Sequence, residues 1–338
     1  MTAALSSQPP AALAARLDAA FAATTILSPS RFAVEGLGPV ELRGSGTEAF
    51  VEALWPALYQ AFYIGPAEAP LRLDAPLADP AFIATLQAAN PTKPRWDAGW
   101  SVYQGTGGSL SIVKGETHRL ALPGQYAFAQ GVNRLPKVGD SVELLVVGES
   151  LTAQPGYYYV FGDTVPSDFD DALMARLYFN VTAETAPWLL QSLAALFNHW
   201  LVPFRLKCPS APAGYERSDT LVVYLARRFV PFALSLLDPV AGELAERLRP
   251  GVPMFSKPLL PGLGAADDPG GGESFGQARC HLLARAIIAT WRQGSQDPAD
   301  RRAATLRAFR ESGLSIAQPH LASGMVDCYT WPSDEARS

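Results

Sequence analysis

The sequence predicts an α+β protein: a single compact body in which helices flank a central, mostly antiparallel sheet, with helical regions at both ends. Segments that alternate between apolar and polar residues, or that are apolar throughout, fill the middle of the chain and indicate strands. Segments with helical spacing occupy its beginning and its last third. Hydrophobic residues make up 48% of 338 residues, enough for a large core, and no low-complexity linker divides them. We therefore expect a helical region over residues 1–90 and one further domain over residues 91–338.

Two helices are expected in the N-terminal region. Alanine and leucine recur at helical spacing from about Pro10 to Leu27. A second helix begins at Thr47, a residue type that caps helices, and runs towards Phe62 with a break or kink near Pro56.

The middle of the chain reads as a series of strands. The segments that predict them are residues 100–103 and 110–113, which form a hairpin around a glycine-rich turn, then 120–122, 142–147, 157–161, 176–181, 204–207 and 220–225. Strict alternation in residues 176–181 places Arg176, Tyr178 and Asn180 on one face of a strand and the apolar side chains on the other. Alternation over residues 204–207 likewise brings Arg205 and Lys207 together. Between these strands, Pro187 opens a helix.

The last third of the chain contains residue patterns that are typical of helix N-termini. Asp238 and Asp297 each precede a proline, as an N-cap precedes a proline at the first helical position. Ser274 and Gln277 fit a capping box, in which the two side chains satisfy backbone groups at the start of a helix. The segment from Arg249 to Glu273 is rich in proline and glycine and predicts a long loop.

Composition excludes several classes of protein. A net charge of -5 and a pI near 5.5 argue against a nucleic-acid partner, which would need a basic face. Three cysteines are too few for a disulfide framework, and four scattered histidines without a Cys-x-x-Cys motif give no support for a zinc site. We found neither a signal peptide nor an apolar run of membrane-spanning length, so we expect a cytoplasmic protein without a membrane partner.

Cationic residues on otherwise apolar strands are the candidates for chemistry. The phosphate loop, the serine nucleophile elbow and the kinase motifs are all absent from the sequence. Burying arginine or lysine is costly unless an anion or a carboxylate meets it. The residues in this position are Arg176, Arg205, Lys207 and Arg217. They predict either an anion-binding pocket or internal salt bridges on a solvated sheet face.

Several short motifs, taken in order, resemble the HopA-type family, named for a bacterial type III effector. These motifs are Trp96-x-x-x-Trp100, the runs over residues 157–162, 176–180 and 202–207, Tyr215-x-Arg217-x-Asp219, and the runs over residues 262–269 and 273–280. The last is the most specific. The resemblance covers roughly residues 96–291, and relatives of this family also occur as lyases in class V lanthipeptide and thioamitide clusters.

This resemblance implies that the region over residues 91–338 is a lyase-like domain. Such a lyase removes phosphate from phosphoserine or phosphothreonine in a ribosomal precursor peptide and leaves dehydroalanine or dehydrobutyrine. The reaction needs a base for the α-proton, and cationic groups for the enolate and for the departing phosphate. It needs no metal and no organic cofactor, so we expect none. The implied partners are a leader-bearing phosphorylated precursor peptide and a separate Ser/Thr kinase that acts in trans.

Candidate roles follow from position and from this resemblance. Lys114, just after an apolar strand, is the candidate base; the alternative is that Lys114 is simply an exposed lysine of a hairpin. His118 is the candidate acid. The remaining candidates bind phosphate or peptide: Arg119, Arg176, Tyr178, Asn180, Lys207, Arg217 and Arg279, with backbone N–H groups near Gly276 at a helix start.

A second function is also compatible with the sequence. In this alternative the chain is an interaction protein: a type III effector, or a degenerate homologue that binds phosphopeptides without turnover. A secreted effector is expected to begin with a long, polar, serine-rich segment. This chain instead changes to an alanine- and leucine-rich helical pattern within about ten residues, which favours the biosynthetic function.

Overall fold

A seven-stranded antiparallel sheet forms the centre of the protein. The computed structural model describes residues 8–65, 77–128 and 134–332. The strands of this sheet are β9 (Glu149–Ser150), β10 (Tyr157–Phe161), β11 (Met174–Phe179), β12 (Arg205–Pro209), β13 (Leu221–Ala226), β14 (Lys257–Leu260) and β15 (Leu263–Asp267), in the order β14-β15-β11-β13-β12-β10-β9. This confirms the prediction of a central antiparallel sheet.

Two smaller antiparallel sheets accompany it. The first contains β1 (Thr24–Ser28), β2 (Arg31–Val34) and β3 (Gly38–Glu41). The second, in the order β6-β5-β4-β8-β7, contains β4 (Arg95–Thr106), β5 (Ser109–Lys114), β6 (Thr117–Ala121), β7 (Tyr126–Phe128) and β8 (Ser141–Val146). It has its own small core around Trp100 and Ile112.

Helices cover both faces of the central sheet. They are α1 (Ala11–Ala23), α2 (Thr47–Leu58), which continues as a π-helical turn (Tyr59–Tyr63), α3 (Pro80–Ala89), α4 (Ala186–His199), α5 (Val230–Leu237), α6 (Ala241–Arg247), α7 (Phe275–Arg292) and α8 (Pro298–Glu311). The predicted caps of the last two are confirmed: the side chain of Ser274 accepts from the backbone N–H of Gln277, and that of Asp297 from Ala299. Among the described residues, no helix is both long and apolar enough to cross a membrane.

The alternation along β11 determines which helices lie on each face. Leu177 and Phe179 belong to a core that also contains residues of α4 and α5. Tyr178 points the other way, into a second core shared with α1, α2, α7 and α8. This is the division between faces that the sequence predicts, because successive side chains of a strand point to opposite sides.

Three local predictions differ from the structure. The helix expected to reach Leu27 ends at Ala23, where the β-branched run from Thr24 begins the three-stranded sheet. The N-terminal region is therefore not purely helical. The segment from Arg249 to Glu273 is not one loop, because β14 and β15 form a hairpin within it. Gly262 makes its turn possible: its φ is +78°, and a Cβ there would lie 2.3 Å from the carbonyl oxygen of Arg249.

Candidate functional site

Two arginines lie on either side of one tyrosine ring on the face of the central sheet. Tyr224 of β13 is directly opposite Arg176 of β11 and directly opposite Arg205 of β12. Directly opposed residues of neighbouring strands project to the same face. The guanidinium carbon of each arginine is 5.0 Å from the centroid of the Tyr224 ring, a cation–π distance.

Lys207 extends this cluster by one more cation. It follows Arg205 by two residues on β12 and therefore shares its face. Its Nζ atom lies 4.7 Å from the centroid of the Tyr157 ring and 5.7 Å from that of Tyr224. It also donates a hydrogen bond of 3.1 Å to Oε1 of Gln154. The sequence prediction that Arg205 and Lys207 lie together is confirmed.

These side chains line a cavity of about 700 Å³, which we call the cationic cleft. Its walls comprise Arg176, Arg205, Lys207 and Tyr224 from the sheet, and Ser274 and Gln277 from the start of α7. The N-terminus of a helix carries a partial positive charge, which favours anions. A triple-glycine segment, residues 270–272, borders the cleft, and all three of these glycines have positive φ angles of 68–86°.

Three carboxylates also border the cleft, and two of them are already engaged. Asp268 accepts from Arg176, with an Nη2–Oδ2 distance of 2.7 Å. Glu273 is 2.6 Å from Nδ1 of His281. Asp171 is exposed. Among the described residues, Arg205 and Lys207 have no carboxylate within ion-pair distance, so the cleft holds two cationic side chains that an anion could neutralise.

Arg176 remains charged although it is buried. Burial lowers the pKa of its guanidinium, but Tyr178, Tyr224 and Asp268 raise it by more, so the pKa lies above the ordinary value. The ion pair with Asp268 holds the guanidinium against the wall of the cleft.

Arg217 lies behind the cleft and is satisfied by the protein. Its guanidinium binds the carboxylate of Asp219 through Nε and Nη2, and it donates to the hydroxyls of Tyr157 and Tyr59 at 3.0 Å each. Burial lowers the pKa of Arg217, yet Asp219 and Tyr59 outweigh this effect and the pKa is raised. Arg217 thus positions Tyr157, whose ring lies under Lys207.

A second pocket, of about 240 Å³, adjoins the cleft. We call it the apolar pocket after the hydrophobic side chains on its walls, although Asp170 and Asp171 also line it. It lies between the central sheet and the five-stranded sheet, and its lining includes Leu144, Val146, Phe161, Val165 and Pro203. The pocket and the cleft share five lining residues, namely Phe161, Asp171, Met174, Arg205 and Tyr224. Arg119, a predicted peptide ligand, also lines the pocket and forms an ion pair of 2.7 Å with Asp168.

Other predicted site residues lie outside the cleft and the pocket. Lys114 is at the end of β5 in the five-stranded sheet, where its Nζ is 2.9 Å from Oδ2 of Asp97. The His118 ring, on β6, packs against those of Tyr103 and Phe169. Lys114 and His118 therefore do not lie in the cationic cleft, and their roles as base and acid stay predictions.

The remaining candidates have structural partners. Asn180 donates to the carbonyls of Pro250 and Gly251 and accepts from Arg249. Arg279 donates to the carbonyls of Pro319 and Leu321, and burial lowers its pKa to about 10.

Tyr178 and Gly276 belong to the packing between the sheet and α7. The ring of Tyr178 lies 6.5 Å from that of Phe275, and burial raises the pKa of its hydroxyl. A Cβ atom on Gly276 would lie 2.3 Å from Cε1 of Tyr63, so glycine is needed there for close packing.

Arg205 and Tyr224, which lie at the centre of the cation cluster, were missing from the predicted site. The alternation over residues 204–207 placed Arg205 beside Lys207, but Arg205 was not included among the predicted phosphate ligands. Tyr224 was interpreted by default as a core aromatic residue, with peptide binding as the alternative, because its strand is apolar throughout and the sequence marks no face as special.

The fold and the cleft define an α+β protein with a cationic, aromatic-lined candidate site. The model of the HopA1 effector protein family matches residues 149–321, which is half of the chain, and the chain belongs to this family. The resemblance to the HopA-type family is thereby confirmed; membership of its lanthipeptide branch stays a prediction.

Solved structures of two effector proteins are similar to this chain. One, from Pseudomonas syringae pv. tomato strain DC3000, has 16% identity and a TM-score of 0.41, covering 72% of this chain and 80% of that one. The other, from Pseudomonas syringae pv. syringae strain 61, has 13% identity and a TM-score of 0.40, covering 74% and 85%. No curated protein matches the sequence.

Proposed function

We propose that this chain is an effector-like protein that binds a phosphorylated serine or threonine segment of a peptide or protein in the cationic cleft. The observation that carries the proposal is the pair Arg205 and Lys207, half-buried beside Tyr224 without a carboxylate partner among the described residues. Cationic groups withdrawn from water need a counter-charge. The family description names effectors and no lyase, which supports this function over the biosynthetic one.

Phosphate suits the arrangement of the cations. A guanidinium presents parallel N–H groups that match two oxygens of a phosphate, and an ammonium adds a point charge. Arg176 and Arg205 approach from opposite sides of Tyr224, and Lys207 from a third direction. A dianion bound in the cleft would lie among these three cations, which all line it. The start of α7 favours the same charge.

Binding of labelled peptides tests this proposal. A phosphothreonine peptide and its unphosphorylated counterpart are titrated by fluorescence anisotropy against wild type, Arg205→Gln and Lys207→Gln. Each lost charge-assisted contact is worth about 1.5–3 kcal/mol, or roughly ten- to hundredfold in affinity. Exposed Arg307→Gln and Lys137→Gln are the controls, since they remove the same charges elsewhere. Equal affinity for the two peptides, or equal losses in cleft and control variants, would refute the proposal.

Elimination of phosphate is the second candidate function, and the position of Lys207 favours it. Among the described residues that line the cleft, Lys207 is the one amine. In this reaction a neutral base takes the α-proton, the electron pair of the Cα–H bond forms the Cα=Cβ bond, and the Cβ–O bond breaks. The departing phosphate oxygen takes a proton from water, so that the phosphate is released as hydrogen phosphate. Arg176 and Arg205 would neutralise the departing oxygens. The phosphate would come from a separate kinase in the same cytoplasm, and the acceptor would be a leader-bearing precursor peptide.

Mass spectrometry separates binding from turnover. The purified protein is incubated with phosphothreonine peptide in the presence of a chelator, and the peptide is examined for loss of phosphoric acid. Elimination that Lys207→Arg and Lys207→Gln both abolish, while Lys114→Gln leaves it intact, would favour Lys207 as the base. Loss in Lys114→Gln alone would favour the base predicted from the sequence. A peptide that keeps its phosphate while binding tightly supports binding without turnover.

A further inference from the structure

The apolar pocket lies next to the cationic cleft but is not lined by Arg176 or Lys207, two of the three cations of the cleft. Its walls are the side chains of Leu144 and Val146 from β8, Phe161 from β10, and the Val165 and Pro203 segments. About half of the accessible surface of the pocket is hydrocarbon, and the rest belongs to polar groups such as Arg119, Asp170 and Asp171. Burying the hydrocarbon part against another apolar group is favourable.

The rim of this pocket is also apolar and open to water. Leu120 and Val147 line it, yet their exposed fractions are 52% and 46%. Large aliphatic side chains this exposed, at the mouth of a concave apolar site, are typical of a binding surface.

The pocket opens into the cleft through shared walls. Arg205 and Tyr224, which frame the anion position, also line the pocket. An extended peptide advances about 3.3 Å per residue, so a side chain within three residues of a phosphoresidue can span from one site to the other. The two sites are therefore within reach of a single short segment.

We infer that the pocket selects the sequence around the phosphoresidue: it takes one large apolar side chain, such as leucine, within three residues of the phosphoserine or phosphothreonine and on one side of it. This inference rests on the proposed phosphopeptide binding. The occupant belongs to the same peptide, because the pocket has room for a single large side chain and is continuous with the anion site. The ligand class is thus a phosphopeptide with an adjacent apolar anchor.

A positional peptide set tests the inference. Phosphothreonine peptides carry leucine or serine at each of the three positions before and after the phosphoresidue, and affinities are measured by anisotropy. Leucine at one of these positions should improve affinity about tenfold over serine, which corresponds to burial of most of one aliphatic side chain. The ratio of leucine to serine affinity is the readout.

A matched pair of variants locates the effect. Leu120→Asn should bring that ratio close to one, whereas Leu135→Asn, at a residue with 75% exposure outside the pocket, should leave it unchanged. Because both leucines are exposed, neither change should disturb the core. Phosphate-dependent binding without a leucine preference, or a preference that survives Leu120→Asn, overturns the inference and leaves the proposed function standing. Binding that does not depend on phosphate overturns both.

Discussion

The guanidinium of Arg217 donates a hydrogen bond of 3.0 Å to the hydroxyl of Tyr157, and the ring of Tyr157 lies 4.7 Å below Nζ of Lys207. Arg217, which is held by its ion pair with Asp219, therefore positions the ring of Tyr157, and this ring in turn supports Lys207 at the cleft. Four hydrogen bonds already occupy most of the five N–H donors of Arg217. Arg217 therefore holds the site together, whereas Lys207 faces the cleft and can contact a ligand.

Arg217→Met should destabilise the fold by about 3–5 kcal/mol, because it leaves Asp219 buried without its partner. The double variant Arg217→Met/Asp219→Leu should recover much of this loss. Urea denaturation of the two single variants and the double variant measures the coupling. Strictly additive losses would show that the pair is not the source of the effect.

Gly276→Ala should lower the free energy of unfolding by about 1–3 kcal/mol, since the added methyl group overlaps the rings of Tyr63 and Tyr59. Gly242→Ala in α6 is the control, because its Cβ would meet nothing within 4 Å. That change should be neutral or stabilise by up to about 1 kcal/mol. Thermal or urea unfolding compares the two. A tolerated Gly276→Ala would mean that α7 can move away from the tyrosines.

Arg176→Gln should weaken phosphopeptide binding and stability together, because Asp268 is then left at the cleft with an unopposed charge. Arg176→Gln/Asp268→Asn should restore stability while affinity stays at least about tenfold below wild type. Anisotropy and urea denaturation on the same preparations give both quantities. Recovery of affinity in the double variant would show that Arg176 neutralises Asp268 and contributes nothing to the ligand.

Asp327→Asn should show a stability defect that depends on pH. Burial raises the pKa of Asp327, but hydrogen bonds from His320, Lys257 and the backbone N–H of Tyr329 lower it by more, to below its ordinary value of 3.8. A depressed carboxyl pKa stabilises the fold above the unfolded-state value, and this contribution is lost as the pH falls towards the folded-state value.

The variant should therefore be about 1–2 kcal/mol less stable at pH 7, and this gap should narrow below about pH 4. Glu246→Gln, at an exposed position, should track wild type at every pH. Urea denaturation at pH 7, 5 and 3 measures the three proteins. A gap that is constant from pH 7 to pH 3 would contradict the assignment of the carboxylate's role.

Local patterns predicted the strands of the site and part of its chemistry. Alternation placed Arg176 with Tyr178, and Arg205 with Lys207, because the two-residue period of a strand is a local property. The fold class followed from the same periodicities. The pairing that puts Tyr224 between two arginines depends on the strand order β11-β13-β12, which joins segments far apart in sequence.

The remaining differences have the same origin. Gly276 was interpreted as an anion-binding position, but its small size is required by Tyr63, more than two hundred residues earlier in the chain. Arg279 and Asn180 were interpreted as ligands from their positions and from the resemblance to the family. Their partners are backbone carbonyls of distant loops, which no local pattern marks.

The π-helical turn after α2 determines which fragments of this protein would keep the packing around α7. Tyr59 and Tyr63 lie before residue 149, outside the segment that matches the family, yet Tyr59 accepts from Arg217 and Tyr63 packs on Phe275. A fragment of residues 149–321 would present that side of α7 to water, with one donor of Arg217 unmatched. The packing around the cleft therefore extends beyond the segment that matches the family, into the N-terminal part of the chain.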